Sequence, residues 1–376
     1  MFYRQVELIN VNLSTNTPKV RIMNNFYLDL EPARLKQAKA AYTTRHVDFD
    51  ALTQLLTGDL TPKCGDLVLA RVEEIGQHKQ IELSSGRKAS LFPGDEIVVC
   101  YGNRYAPDQF EAEVPLDLSP CNLVAAGGLA AIVLSQHIKV NPATTITPIG
   151  LLADSNGQRV NLANWALKPT TYIGQRPFTV AVLGTSMNSG KTTTAANLIK
   201  GLVLSGLKVG AAKITGTGAG NDIWLMRDAG ASLVLDFTYV GFPSTYRATP
   251  QEVETILDTL TSHLAGEGVD VIVLEIADGL YQYETSKLIS SVAFRNTVDG
   301  VLFATNSALG ATAGVELLQL YQLPVLAISG TVTTSPLAAR ETAIATGLPV
   351  LDLEMLRTQA AALTSRLLQP QIALSV

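Results

Sequence analysis

The densest run of chemistry-bearing residues in the chain is Gly184-Thr185-Ser186-Met187-Asn188-Ser189-Gly190-Lys191-Thr192-Thr193. It follows an apolar, β-type run, Phe178 to Leu183, and leads into a stretch of helical period, Thr193 to Leu204. Strand, glycine-bearing loop, Lys-Thr and helix in that order suit a phosphate cradle. The loop N–H groups and the positive end of the helix dipole hold a phosphate, a lysine ammonium neutralises the outer phosphates, and a threonine hydroxyl ligates Mg²⁺. The expected contacts therefore run from Gly184 through Thr193, with Lys191 as catalytic cation and Thr192 as metal ligand. The first glycine lies one residue earlier than in a strict G-x-x-x-x-G-K spacing, which leaves Thr185 in its place.

Three later segments carry groups that suit the surroundings of such a cradle. Lys213-Ile-Thr215-Gly-Thr217-Gly-Ala-Gly220-Asn221-Asp222 follows a buried β run and combines glycines, hydroxyls, a cation and a carboxylate. It reads as an anion-binding and metal-ordering loop with Lys213 as a catalytic cation and Asp222 as a Mg²⁺ ligand, or as a plain strand-to-helix connection. Glu275 and Asp278 close another apolar run, where a carboxylate orders Mg²⁺ or its water, or serves a turn. Glu275 is expected to act in both catalysis and metal binding. Ser244, Thr245 and Arg247 form a hydroxyl-rich end fit to grip a carboxylate or phosphate, or to cap the helix starting near Pro250. With Thr215, Thr217 and Asp278 they make up the expected substrate contacts.

These residues need a frame. The β runs Phe178 to Leu183, Val209 to Ile214, Val269 to Leu274, Gly300 to Ala304 and Pro324 to Ile328 alternate with helical stretches such as Pro250 to Leu264 and Ala313 to Leu320. That alternation predicts an α/β domain over residues 177–376 with a mostly parallel sheet, whose ligands sit at the carboxyl ends of the strands. Residues 1–170 predict a smaller, β-rich α+β domain. It opens strand-like, has a helical-looking stretch from Glu31 to Thr43, and carries a barrel-like core at about 60–115 built from runs such as Leu67 to Val72 and Ile97 to Tyr101. The small apolar run Leu123 to Ala131 suits close backbone packing, Pro142 to Gly157 reads as turn-rich, and Leu167 to Thr171 as a linker.

Composition narrows the partners. A net charge of -5 and 16% charged residues give no sequence-wide attraction to nucleic acid or anionic membranes. No apolar stretch reaches the length of a membrane span and the first residues lack a signal-peptide pattern, so a cytoplasmic protein is expected. Cys64, Cys100 and Cys121 fit neither a disulfide framework nor a metal pair, and the four histidines have no ligand spacing. A small anionic molecule is the expected partner, and a homodimer stays open.

The G-T-x-x-x-x-G-K-T loop resembles that of dethiobiotin synthetases and their P-loop relatives, the cobyrinic acid amide synthases and the molybdopterin-guanine dinucleotide accessory protein MobB. Lys208 to Lys213, Val271 to Gly279 and Ala304 to Gly310 resemble later segments of that group, so the likeness covers roughly residues 178–360. It implies a P-loop NTPase fold and a kinase- or ligase-type enzyme that uses ATP and Mg²⁺ to activate a small carboxylate, carbamate or hydroxyl. The alternative it implies is a nucleotide-switched accessory protein of the MobB kind. Glu275-Ile-Ala-Asp-Gly279 departs from the glycine-rich segment of the synthetases, and the loop lacks the early lysine of ParA-like ATPases. No guanine-reading N/T-K-x-D motif is present, which favours ATP over GTP.

Overall fold

The computed structural model describes residues 25–368. The strand-like opening expected near the N-terminus lies largely outside them. The chain divides into two compact units, Met1–Trp165 with Gly241–Pro243, and Ala166–Val240 with Ser244–Val376.

The first unit is built on mostly antiparallel strands, with Glu96–Tyr101 and Leu129–Gln136 paired in parallel. Five of them, Leu67–Glu74, Glu96–Tyr101, Leu129–Gln136, Cys121–Ala125 and Thr144–Ala153, pair in that order and the last returns to the first, so hydrogen bonding runs around a closed ring. Both faces of these strands are buried over part of their length. Val68, Ala70 and Val72 join one apolar cluster while Leu67 and Leu69 join another, as the period of two requires. The ring takes three strands from beyond residue 115. The strand at 144–153 is hidden in sequence by Pro148 and Gly150, which sit where its pairing register shifts. The helical stretch expected at 31–43 is a helix only over Pro32–Gln37, after which Lys39–Ala40 pairs with the ring.

The second unit is a six-stranded parallel sheet. Its elements are β1 (Phe178–Gly184), α1 (Lys191–Leu204), β2 (Val209–Lys213), α2 (Asn221–Asp228), β3 (Leu233–Asp236), α3 (Pro250–Gly266), β4 (Val271–Glu275), α4 (Tyr283–Ile289), α5 (Val292–Thr297), β5 (Gly300–Ala304), α6 (Ala308–Leu320), β6 (Val325–Ser329), α7 (Pro336–Thr346) and α8 (Leu353–Leu368). The strand order is β3-β2-β4-β1-β5-β6. Strands buried on both sides explain their near-continuous apolar runs. On one face Val180, Val182 and Val273 pack with Ala195, Leu198, Ile199 and Leu202 of α1 and with Leu356 and Ala360 of α8. α3 buries Val253, Ile256, Leu257, Leu260 and Leu264, a helical stripe opened by a capping box between Thr249 and Glu252. α6 begins at Ala308, five residues before the expected Ala313, because Ser307 caps it by accepting from Gly310 N–H.

Candidate nucleotide-binding site

The sheet order puts β1 at the centre, flanked by β4 and β5, so the β1 loop lies among the carboxyl ends of its neighbours. Gly190 caps α1 with a φ of 97°, and a side chain there would come within 2.9 Å of Gly330 Cα. Only glycine meets both demands. The neighbouring loops are tied onto this turn. Thr331 N–H donates to the Ser189 carbonyl at 3.0 Å, and Thr185 N–H donates to the Ala304 carbonyl at 3.0 Å. The residues after β6 were not among the expected contacts, although their position at the end of a parallel strand is the available signal.

Lys191 is only 6% exposed and folds back over the loop, its Nζ donating to the Ser186 carbonyl at 2.7 Å. Burial holds its ammonium below the ordinary lysine range, opposed by Glu275 and Asp278. Among the loop's other residues, Ser186 and Asn188 are exposed, Met187 is half-buried, and the Thr193 hydroxyl donates to the Gly190 carbonyl at 2.9 Å.

Thr192 is the meeting point of three elements. Its hydroxyl lies 2.7 Å from Glu275 Oε1 of β4 and 3.2 Å from Asp222 Oδ1 of α2. Lys213, in register with Glu275 on the adjacent strand, pairs through Nζ with the other oxygen of Asp222. Burial, followed by the nearby Asp222, pushes the Glu275 carboxyl up to about 7. Asp222 is pushed up by burial but pulled further down by Lys213, so it stays below the usual carboxylate range. For Lys213 burial lowers the ammonium's pKa, and the pull of Asp222 and Glu275 outweighs it and raises the group above its ordinary value.

Three polar atoms here are buried without a hydrogen-bond partner among the described residues: Thr185 Oγ1, Ser189 Oγ and Glu275 Oε2. Leaving such atoms unsatisfied is costly, and a phosphate and a hydrated cation offer the missing partners. Hard oxygen donors from Thr192, Asp222 and Glu275 suit Mg²⁺, which keeps several ligands from water or phosphate. Among the described residues no group of three or more His, Cys, Asp or Glu side chains is placed to hold a metal. The residues present thus fit a nucleotide phosphate with Mg²⁺.

The remaining expected residues lie in an adjoining layer and face the backbone. Thr215 Oγ1 accepts from Ala277 N–H at 2.9 Å, and Gly216 N–H donates to Thr245 Oγ1 at 2.8 Å. Thr217 and Ser244 form an isolated bridge, and Ser244 Oγ accepts from Tyr246 N–H at 3.2 Å. Arg247 has a φ of 65° and donates its N–H to Glu284 Oε1 at 2.6 Å. Asp278 also has a φ of 65°, and the following Gly279 lies so close to Thr185 that a side chain would run into its carbonyl. The cap of α3 is Thr249, not Ser244 or Thr245.

No protein-family model matches the chain, and no curated protein matches it. Solved structures do. The signal recognition particle 54 kDa protein from Aeropyrum pernix K1, in complex with GDP, is 20% identical over 55% of this chain and 52% of that one, with a TM-score of 0.36. The cell division protein FtsY from Thermotoga maritima is 17% identical over 55% and 74%, with a TM-score of 0.37. Chloroplast FtsY from Physcomitrella patens is 16% identical over 53% and 70%, with a TM-score of 0.33. The chain spans about half the length of the first of these.

Two expectations are corrected here. The small-molecule kinase or ligase, with its MobB-like alternative, is set aside, because the structures resembling the chain are signal recognition particle and FtsY proteins. In the adjoining layer Thr215, Ser244 and Thr245 each receive a backbone N–H, which ties their oxygens to the chain. The dethiobiotin synthetase grouping narrows likewise, since the loop motif specifies phosphate binding and little about a second substrate. No helix among the described residues is long and apolar enough to cross a membrane. A glycine-turned loop between a central parallel strand and a helix opening on Lys-Thr, with a carboxylate at the end of the neighbouring strand β4, gives the second unit a P-loop NTPase fold.

Proposed function

We propose that the chain binds a nucleoside triphosphate with Mg²⁺ at the β1–α1 loop and hydrolyses it to the diphosphate. The observation that carries this reading is the Thr192 hydroxyl held between Glu275 and Asp222, with the buried Lys191 and Lys213 ammonium groups beside it. When bound, Mg²⁺ supplies Lewis-acid charge compensation to the phosphate oxygens. Lys191 leaves the Ser186 carbonyl and places its charge on the outer phosphates. Lys213, fixed by Asp222, adds a second positive charge where negative charge grows during transfer to water, and preorganised charge of this kind is effective in a dry site. Glu275 holds the Thr192 hydroxyl through one oxygen, and its other, buried oxygen would accept from a metal-bound water.

The lack of an N/T-K-x-D segment supports ATP, since Thr305-Asn306-Ser307-Ala308 follows β5. One of the resembling structures is a GDP complex, so both bases belong in the test. Phosphate release is measured with ATP and with GTP, with and without Mg²⁺, and with no acceptor added. Mg²⁺-dependent release with at least one nucleotide is expected. Absence of both release and binding for either nucleotide overturns the proposal.

A further inference from the structure

Strand β4 ends on Glu275, and the turn that follows is fixed residue by residue. Ile276 N–H donates to the Val182 carbonyl of β1 at 3.1 Å. Ala277 is gripped from both sides, its N–H donating to Thr215 Oγ1 at 2.9 Å and its carbonyl accepting from Thr285 Oγ1 at 3.0 Å. Asp278 then takes its φ of 65°, and Gly279 packs against the Thr185 carbonyl. One short turn thus joins the carboxylate that holds Thr192 to the wall of the P-loop.

Thr285 is an unusual choice for its place. It is the third residue of α4, is 1% exposed, and gives its N–H to the capping Gln282 Oε1 at 3.0 Å. A threonine in a helix commonly hands its hydroxyl proton to the carbonyl four residues back, as Thr255, Thr297 and Thr342 do. Thr285 instead reaches eight residues back and out of its helix. Packing alone does not call for this, since valine has nearly the same shape without the buried hydroxyl. The carbonyl of the buried Ala277 does call for it, because a backbone acceptor removed from water needs a donor.

We propose that Thr285 is a positioning residue for the nucleotide hydrolysis put forward above, an inference that rests on that reading. Its hydroxyl holds the Glu275–Gly279 turn, so that the Glu275 carboxylate stays aimed at Thr192 and the Mg²⁺ position. Thr285 touches neither nucleotide nor metal, and acts through Glu275. Without the hydroxyl, the Ala277 carbonyl turns toward another donor, and the rotation is felt two residues away. Groups that orient a metal-ordering carboxylate cost activity when removed, although they never meet the metal.

The test measures phosphate release against nucleotide and Mg²⁺ for the unsubstituted chain, Thr285→Val, Thr285→Ser, Glu275→Gln and the Thr285→Val, Glu275→Gln double variant. Thr285→Val is expected to lower Mg²⁺-dependent kcat about tenfold while nucleotide KM changes by less than about twofold, and Thr285→Ser, which keeps the hydroxyl, to recover most of the loss. In the double variant the two losses are expected not to multiply, because one residue acts through the other. Thr342→Val removes an equally buried hydroxyl bond in α7 and is expected to leave kcat unchanged. Circular dichroism checks the fold of each variant. Should Thr285→Val not fold, Thr215→Val frees Ala277 from its other side and takes its place in the same cycle. Undiminished kcat in the folded variant, no recovery by Thr285→Ser, an equal loss in Thr342→Val or fully multiplicative losses each overturn the proposal. Absence of Mg²⁺-dependent release from the unsubstituted chain is a separate result, and it overturns the nucleotide reading together with this inference.

Discussion

The loop at Gly184–Thr193 and the layer formed by Thr215–Thr217 with Ser244–Arg247 use similar residues to opposite ends. Both are rich in glycine and hydroxyls, and both follow buried strands. In the first, Thr185 Oγ1 and Ser189 Oγ are buried without partners and Lys191 reaches only a carbonyl of its own loop. In the second, Thr215 and Thr245 each receive a backbone N–H, and the segments they join are held in place. A polar group left unsatisfied in a dry place points to a ligand, whereas one paired with the backbone accounts for itself. Residue type alone does not distinguish the two.

The largest effect expected from this contrast is in Lys191→Ala. Removing the ammonium is expected to lower nucleoside triphosphate affinity by about a hundredfold or more and to bring hydrolysis to background. Its melting temperature should hardly move, because the side chain's hydrogen bond is to a loop carbonyl. Thermal melts and nucleotide titration on one preparation check both halves.

Next come Asp222→Asn and Glu275→Gln. Each is expected to reduce Mg²⁺-dependent turnover by roughly ten- to a hundredfold while leaving metal-free nucleotide binding near its original strength. Varying Mg²⁺ at fixed nucleotide separates the two quantities. Should turnover in both variants keep its original Mg²⁺ dependence, these carboxylates belong with the stitched layer.

Thr245→Val tests the other side. It leaves Gly216 N–H without its acceptor, a cost of about 1–3 kcal/mol, and is expected to lower the unfolding free energy with little change in nucleotide affinity. A denaturant titration measures the loss.

A further expected effect is in pH dependence. Glu275 sits at about 7 in the folded chain against an ordinary value of 4.5, so the folded state binds its proton more tightly than the unfolded state. Its contribution to stability is therefore fully present below 4.5 and is lost as pH rises through about 7. Glu275→Gln lacks this dependence, so its stability relative to the unsubstituted, nucleotide-free protein should rise by a few degrees of melting temperature between pH 4.5 and pH 8. An unchanged difference would place the carboxyl in its ordinary range.

Much of this was legible from residues because two signals are local. The Gly-Lys-Thr turn needs its residue types wherever it occurs, and a parallel sheet buried on both faces writes its strands as apolar runs. What was illegible depends on distant pairing. The strand at Thr144–Ala153 is masked by Pro148 and Gly150, tolerated only because the register shifts there. The ring closes through Cys121–Ala125, whose partners lie on two other strands. The hydroxyls of Thr215 and Thr245 read as substrate contacts because the backbone groups they receive, Ala277 and Gly216, are 62 and 29 residues away in sequence. The site cluster was only half legible, since nothing short of the strand register opposes Lys213 to Glu275.

The proposed nucleotide binding belongs to the loop with unsatisfied groups and not to the stitched layer. Calorimetric titration of Mg²⁺ with ATP and with GTP into the unsubstituted protein, Lys191→Ala and Thr245→Val tests this most directly. Saturable binding of one nucleotide by the unsubstituted protein and Thr245→Val, and its loss in a folded Lys191→Ala, is the expected result. Equal binding by Lys191→Ala, or loss of binding in a folded Thr245→Val, would contradict the account.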